Sequence, residues 1–216
     1  MHHFFLTPES IQGKQVSFPP QVAHQIRHVL RLGAGDQVAV LDNSGMLFTV
    51  VLTGHVSNTQ LTGQIVASHR VTSEPGIGVT LFFGLSNREK VEWILQKGTE
   101  IGVSKFYPFV SSRTRVSTPA LSESRITRWK QIIKEAAEQS GRGKLPTFNP
   151  PEFLKECFVK AKHDHQMCLL AWENSPGDEI RLKELLQGFS GDAVALFVGP
   201  EGGFSEDEIV AAKENG

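Results

Sequence analysis

Residues 193–208 constrain the fold more than any other part of the chain. They read Ala193-Val194-Ala195-Leu196-Phe197-Val198-Gly199-Pro200-Glu201-Gly202-Gly203-Phe204-Ser205-Glu206-Asp207-Glu208 and spell a buried strand, a glycine-rich turn and a capped helix in that order. The apolar run between Gly191-Asp192 and Gly199-Pro200 suits a strand covered on both faces, as in a parallel sheet. Gly199, Gly202 and Gly203 let backbone amides approach a ligand with no Cβ in the way. Ser205 followed by Glu208 is a capping box that starts the next helix beside the turn. Such turns lie at the C-terminal edge of open α/β sheets, where these folds bind ligands. An ordinary tight βα turn has the same spacing, so the pattern predicts a cradle without naming its contents. No strict G-x-G-x-x-G occurs, and Gly143-Lys144 lacks the rest of a P-loop, which disfavours dinucleotide and ATP chemistry.

The rest of the chain divides in two. Residues 37–71 alternate apolar and polar positions around turn clusters at Asp42-Asn43-Ser44-Gly45 and Ser57-Asn58-Thr59, the pattern of hairpins in a small antiparallel barrel. Thr72-Ser73-Glu74-Pro75-Gly76 breaks that pattern with linker chemistry, which predicts domains over 1–72 and 77–216. Beyond it, apolar runs at 79–85, 106–110, 167–172 and 193–198 alternate with helical patterns starting at Asn87 and Ser122 and spanning 179–187. Strands alternating with helices predict an α/β fold with a parallel sheet.

Charge is distributed unevenly. The formal net charge is −1, yet residues 87–145 carry 12 Lys/Arg against 6 Asp/Glu, and residues 146–216 carry 6 against 13. The middle of the chain is therefore the candidate phosphate-facing surface, because affinity for nucleic acid follows the local patch that displaces counterions. On residues 21–32, His24, Arg27, His28 and Arg31 follow i, i+3, i+4, i+7 spacing and predict a small basic ridge for RNA backbone. A solvated face with no partner has the same signature. His24 and His28 lack a third ligand, so no metal site is predicted. The two cysteines, Cys157 and Cys168, suit reduced thiols rather than a disulfide framework. The N-terminus lacks a signal-type pattern and no apolar run is long enough to span a bilayer, which predicts a cytoplasmic protein. Neither Gly84-Leu85-Ser86-Asn87-Arg88 nor Gly188-Phe189-Ser190-Gly191 matches the nucleophile elbow of a hydrolase.

Four segments in order carry a family resemblance. They are His24-Gln25-Ile26-Arg27-His28-Val29-Leu30-Arg31-Leu32 with Gly35-Asp36, the helix Lys90-Val91-Glu92-Trp93-Ile94-Leu95-Gln96-Lys97-Gly98-Thr99-Glu100-Ile101-Gly102-Val103, the run Glu135-Ala136-Ala137-Glu138-Gln139-Ser140-Gly141-Arg142, and Gly199-Pro200-Glu201-Gly202-Gly203-Phe204. Together they resemble the RsmE-type ribosomal RNA methyltransferases of the SPOUT superfamily, over nearly the whole chain. The resemblance implies a PUA-like β-barrel joined to a knotted parallel α/β domain, a homodimer, and methylation of N3 of a uridine in small-subunit (16S) ribosomal RNA with S-adenosylmethionine. It also implies a leucine- and arginine-rich segment that follows residue 216 in the family, completes the knot and closes over the cofactor. Without that segment the expectation is weak S-adenosylmethionine binding. At position 3 the family often carries arginine, and this chain has His3.

Residues and resemblance together nominate a site. Leu170, Gly199, Pro200, Glu201, Gly202 and Gly203 are expected to wrap the cofactor, with Trp172 as core or rim. Arg142 is expected to hold the target nucleotide, and Glu201 to act as a weak base or a purely structural carboxylate. His24, Arg27, Arg31, Arg113 and Arg142 are the candidate RNA contacts, since guanidinium forks suit phosphate. Two other readings keep their place: a non-catalytic module that binds structured RNA, and a related methyltransferase acting on a different RNA atom.

Overall fold

The computed structural model of the chain describes residues 1–57, 60–173 and 182–216, with the side chains of 55–57 and 60 outside the description. The chain forms two units, Met1–Glu74 with Lys134–Leu145, and Pro75–Ile133 with Pro146–Gly216.

Period-two patterning in the first unit yields a six-stranded sheet. Its strands are β1 (His3–Phe5), β2 (Ile11–Gln12), β3 (Gln15–Phe18), β4 (Gln37–Leu41), β5 (Met46–Ser57) and β6 (Gln60–Arg70), in the order β1-β4-β5-β6-β3-β2. Only β1 and β4 pair in parallel; the other neighbours are antiparallel. Register shifts between β5 and β6, at Thr49/Val50 and Leu52/Gly54, add the local twist that curls the sheet. Val16, Phe18, Val38, Val40, Val50, Leu52 and Leu61 fill the concave side, covered by Val22 and Ala23 of helix α1 (Pro20–His24) and by Ile26. The expected barrel is thus a curled half-barrel, whose ladder among the described residues runs from β1 to β2 without closing.

Two expectations for this unit need correction. The helix expected over 21–32 is shorter: α1 passes into a wider π-type turn over Gln25–Val29, and Arg31 follows with φ of 57°. The wide turn breaks the 3.6-residue phase, so Arg31 does not extend a ridge with His24, Arg27 and His28. The His24 and His28 rings do lie together, with centroids 4.7 Å apart. Residues 134–145, expected inside the second domain, complete the first. Ala137 packs with Phe5, Ala39, Leu41 and Leu47. Glu138 Oε1 accepts the Phe5 amide at 2.9 Å, and Asn43 Oδ1 accepts the Leu145 amide at 2.7 Å. A pattern read along the chain cannot report a return of this kind.

The second unit contains β7 (Gly78–Gly84), α2 (Arg88–Glu100), β8 (Val103–Val110), the start of α3 (Glu123–Ser140), β9 (Thr147–Phe148), β10 (Glu152–Phe153), α4 (Leu154–Asp164), β11 (Met167–Ala171), α5 (Leu182–Leu186), β12 (Ala193–Val198) and α6 (Glu206–Asn215). The sheet runs β10-β8-β7-β12-β11 with every pair parallel, and β9 also lies beside β8. This is the α/β arrangement the sequence predicts. Successive residues of a strand face opposite ways. Phe82 and Phe197 therefore pack with Leu154, Phe158 and Ile209 under α4 and α6, while Phe83 and Phe106 pack with Val91, Leu95, Trp129 and Ile133 of α2 and α3. The Phe82 and Phe197 rings stack at 4.4 Å with planes 9° apart. Asn87 Oδ1 caps α2 by accepting the Lys90 amide at 3.0 Å, and Gly102, at φ of 107°, ends the turn after that helix. Of the expected helix over 179–187, residues 179–181 lie outside the described residues, as do residues 58 and 59 of the expected turn after Ser57.

Candidate functional site

Parallel pairing brings the ends of β7, β8, β11 and β12 to one edge of the sheet. The strands β7 and β12 are neighbours, yet the chain leaves β7 toward β8 on one side and reaches β12 from β11 on the other. That reversal is the switch point where open α/β sheets bind ligands. The glycine loop, residues 199–203, follows β12 there. Its turn is closed by the Gly203 amide donating to the Pro200 carbonyl at 2.9 Å. Gly203 has φ of 67°, and a Cβ at that position would stand 2.6 Å from Glu173 Oε1. Gly84, the last residue of β7, is just as tightly set: a Cβ on it would stand 2.5 Å from the Pro200 nitrogen. Glycine is required at both positions, at one by conformation and at the other by the approach of backbone.

Side chains from neighbouring segments hold the loop. Glu201 Oε1 accepts a short hydrogen bond from Ser86 Oγ and another from Lys90 Nζ at 2.8 Å. The Lys90 ammonium, with the Ser86 hydroxyl, holds the Glu201 carboxyl down at about 2. Arg113 Nη1 donates to the Gly202 carbonyl at 2.8 Å. Beyond the loop, Ser205 and Glu208 form the capping box of α6: the Ser205 amide donates to Glu208 Oε2 at 2.9 Å and the Glu208 amide to Ser205 Oγ at 3.3 Å. Glu208 Oε1 takes the Ser112 amide at 2.8 Å, tying the segment after β8 to the start of α6. Burial pushes the Glu208 carboxyl up, but the Ser205 and Ser112 hydrogen bonds outweigh it and keep it ionised.

Open space adjoins this edge. Ser111, Ser112, Thr114 and Ser205 line a cleft of about 860 Å³ floored by Leu154 and Phe158. Leu170, on β11, lines a second cavity of about 170 Å³ with Phe197 and Phe158. The loop glycines border neither cavity. Trp172 packs partly buried against the Phe82 and Phe197 cluster, which is the core or rim role expected for it.

Two nominated residues are engaged by partners within the protein. Arg142 is buried, with 5% of its side chain exposed. Its Nε and Nη2 donate to the two oxygens of Glu74, each at 2.9 Å. A guanidinium engaged this way secures a loop. Glu201, held down at about 2 by its cationic partner Lys90 and the Ser86 hydroxyl, is an ionised acceptor engaged within the protein. Its structural reading is the one the geometry favours. Arg113, by contrast, is exposed beside the loop, and His24, His28 and Arg31 are exposed in the first unit with Arg27 half-buried.

A family model described as an RNA methyltransferase domain matches residues 73–216. The chain belongs to the RNA methyltransferase family. Among relatives of known name, the ribosomal RNA small subunit methyltransferase E of Bacillus subtilis (strain 168) is 29% identical, with 97% of this chain and 84% of that one covered. The protein of the same name from Synechocystis sp. is 30% identical over 100% of this chain and 69% of that one. A crystal structure of ribosomal RNA small subunit methyltransferase E from Neisseria gonorrhoeae, bound to S-adenosyl methionine, is 27% identical; it covers 100% of this chain and 86% of that one with a TM-score of 0.84. For an RNA methyltransferase of this family, the sequence motifs locate the glycine loop and miss what braces it. Ser86, Lys90 and Glu173 stand far from the loop in sequence. Glu74 looked like linker chemistry and is the acid that buries Arg142. Only Gly84 had a legible signal, a glycine at the end of an apolar strand, which marks a close backbone approach.

Proposed function

We propose that this chain methylates small-subunit ribosomal RNA with S-adenosylmethionine as the methyl donor. The observation that carries the reading is the glycine loop itself, placed at the switch point of a parallel sheet and braced by Ser86, Lys90 and Arg113, in a chain of the RNA methyltransferase family. The residues present suit the donor. Gly199, Gly202 and Gly203 offer backbone without Cβ atoms, Glu173 sets a carboxylate against Gly203, and Leu170 supplies apolar wall. When bound, the donor supplies an electrophilic methyl group. The chain's own part is to hold donor and acceptor in line and keep water out.

The finer assignment is N3 of a uridine as acceptor, with the exposed Arg113 beside the loop holding RNA phosphate and His24, Arg27 and Arg31 meeting backbone elsewhere. A SPOUT-type parallel domain and a PUA-like half-barrel, working as a homodimer in the cytoplasm, complete the reading. Among the described residues no helix is long and apolar enough to cross a membrane. The test is transfer of labelled methyl from S-adenosylmethionine to ribosomal RNA, offered both naked and as small ribosomal subunits, followed by mass spectrometry of the digested nucleosides. Label in 3-methyluridine is the expected result. Label in another nucleoside refutes the acceptor assignment, and RNA retention without any label favours a non-catalytic RNA-binding module.

A further inference from the structure

The first turn of α2 is built around an acid that comes from elsewhere in the chain. Lysine in the first turn of a helix sits at the positive end of the helix dipole, an unfavourable place for a cation. Lys90 occupies that position, its amide taken by Asn87 Oδ1 at 3.0 Å and its ammonium set 2.8 Å from Glu201 Oε1. Ser86 adds a hydroxyl to the same carboxylate oxygen. Both residues follow strand β7, Lys90 on α2, and the strand's final Gly84 packs against Pro200 of the glycine loop. Two independent features, a hydrogen-bonded carboxylate and a backbone approach that excludes a Cβ, thus join the segment after β7 to the loop after β12. Lys90 and Glu201 are substantially exposed, at 54% and 34% of their side chains, so their ion pair adds little to stability. What it fixes is the conformation of the loop.

We propose that Ser86 and Lys90 are positioning residues for methyl transfer, holding Glu201 so that the 199–203 backbone is set to receive the methyl donor before it arrives. This rests on the functional reading above and deepens it. A pre-set backbone lowers the cost of ordering the loop on binding, so the effect falls on donor affinity and not on the chemical step. Lys90 touches neither substrate in this role and acts through Glu201.

The experiment uses the protein and its Lys90→Met, Lys90→Arg and Ser86→Ala variants. Amide hydrogen exchange over residues 199–206 is read without ligand, and S-adenosylmethionine affinity by calorimetry. Lys90→Met is expected to speed exchange in the loop and weaken donor binding by about two- to fivefold, with KM raised and kcat nearly unchanged. Lys90→Arg restores most of the loss, Ser86→Ala shows a smaller change in the same direction, and melting temperatures stay close to that of the unaltered chain. Native-like exchange and affinity in Lys90→Met overturn the inference alone. Absence of any methyl transfer to ribosomal RNA by the unaltered protein overturns the functional reading and this inference with it.

Discussion

Glu74 grips Arg142 on two prongs, Oε1 to Nε and Oε2 to Nη2, while Oε1 also receives the amides of Gly143 at 2.7 Å and Lys144 at 3.2 Å. One carboxylate thereby closes the return of residues 134–145 onto the first unit. Removing it takes the two-pronged carboxylate away from a guanidinium whose side chain is only 5% exposed. Glu74→Ala should destabilise the first unit by about 3 kcal/mol, the low end for a broken buried pair because Glu74 itself keeps an exposed edge. Chemical denaturation followed by a probe in that unit measures it.

Glu74 also sets an acid limit. Desolvation pushes its carboxyl up, but hydrogen bonds from Arg142, Gly143 and Lys144 outweigh this and hold it below the ordinary 4.5. A carboxyl depressed in the folded state contributes stability that is fully present above its unfolded value and is lost as pH falls through the folded one. Melts of the native chain should therefore weaken progressively below about pH 4.5, and the Glu74→Gln variant should show a shallower acid slope from a lower plateau.

Glu138 works in the opposite sense. Burial dominates and raises its carboxyl, against the lowering effects of the Phe5 amide and Lys134. The folded state then holds a proton more tightly than the unfolded state, so this group withdraws stability as pH climbs from about 4.5 through its raised folded value. Glu138→Gln keeps an oxygen for the Phe5 amide and should match or exceed native stability at neutral pH. Glu138→Ala strands that amide and should cost roughly 1–3 kcal/mol. Thermal melts of both variants at pH 5 and pH 7.5 distinguish the two effects.

At the sheet edge, Gly84→Ala forces a Cβ to within 2.5 Å of the Pro200 nitrogen, and backbone has to move. A displacement near 1 Å at a reacting centre can cost on the order of a hundredfold. Methyl transfer in this variant should fall by one to two orders of magnitude while far-ultraviolet dichroism stays native. Undiminished transfer would show that the loop tolerates the shift and that its close contact with β7 is incidental.

Arg113 tests the RNA face. Replacing it with alanine removes a guanidinium held 2.8 Å from the Gly202 carbonyl. Affinity for ribosomal RNA should drop, and the slope of log affinity against log salt should flatten by about one, the signature of one lost phosphate contact. A slope identical to the native one assigns Arg113 to loop support only.

Local chemistry in the chain predicted local structure well. The boundaries of β12, the Asn87 cap, the Ser205 and Glu208 box and the Gly141 stop, with φ of 69°, are all functions of a few adjacent residues. Helix α4 was equally legible, since Leu154, Cys157, Phe158 and Ala161 fall at i, i+3, i+4 and i+7 and all are buried, but a stretch opened by Pro150-Pro151 invites a loop reading. The wide turn at Gln25–Val29 has no such signature, and it moved Arg31 out of the ridge that simple periodicity gave it. Arg142 was ambiguous for a different reason. A guanidinium on a glycine-rich loop is suited to phosphate or to a carboxylate, and only the tertiary fold says that Glu74 arrives first.

Because Lys134–Leu145 supplies Ala137, Glu138 and Arg142 to the first unit, that unit cannot be finished by the residues that begin it. During synthesis the half-barrel must wait, with Phe5 and Leu41 uncovered, until the chain has been made as far as Leu145. An excised N-terminal fragment ending at the linker would carry the same bare patch permanently, and would be sticky where the intact protein is closed.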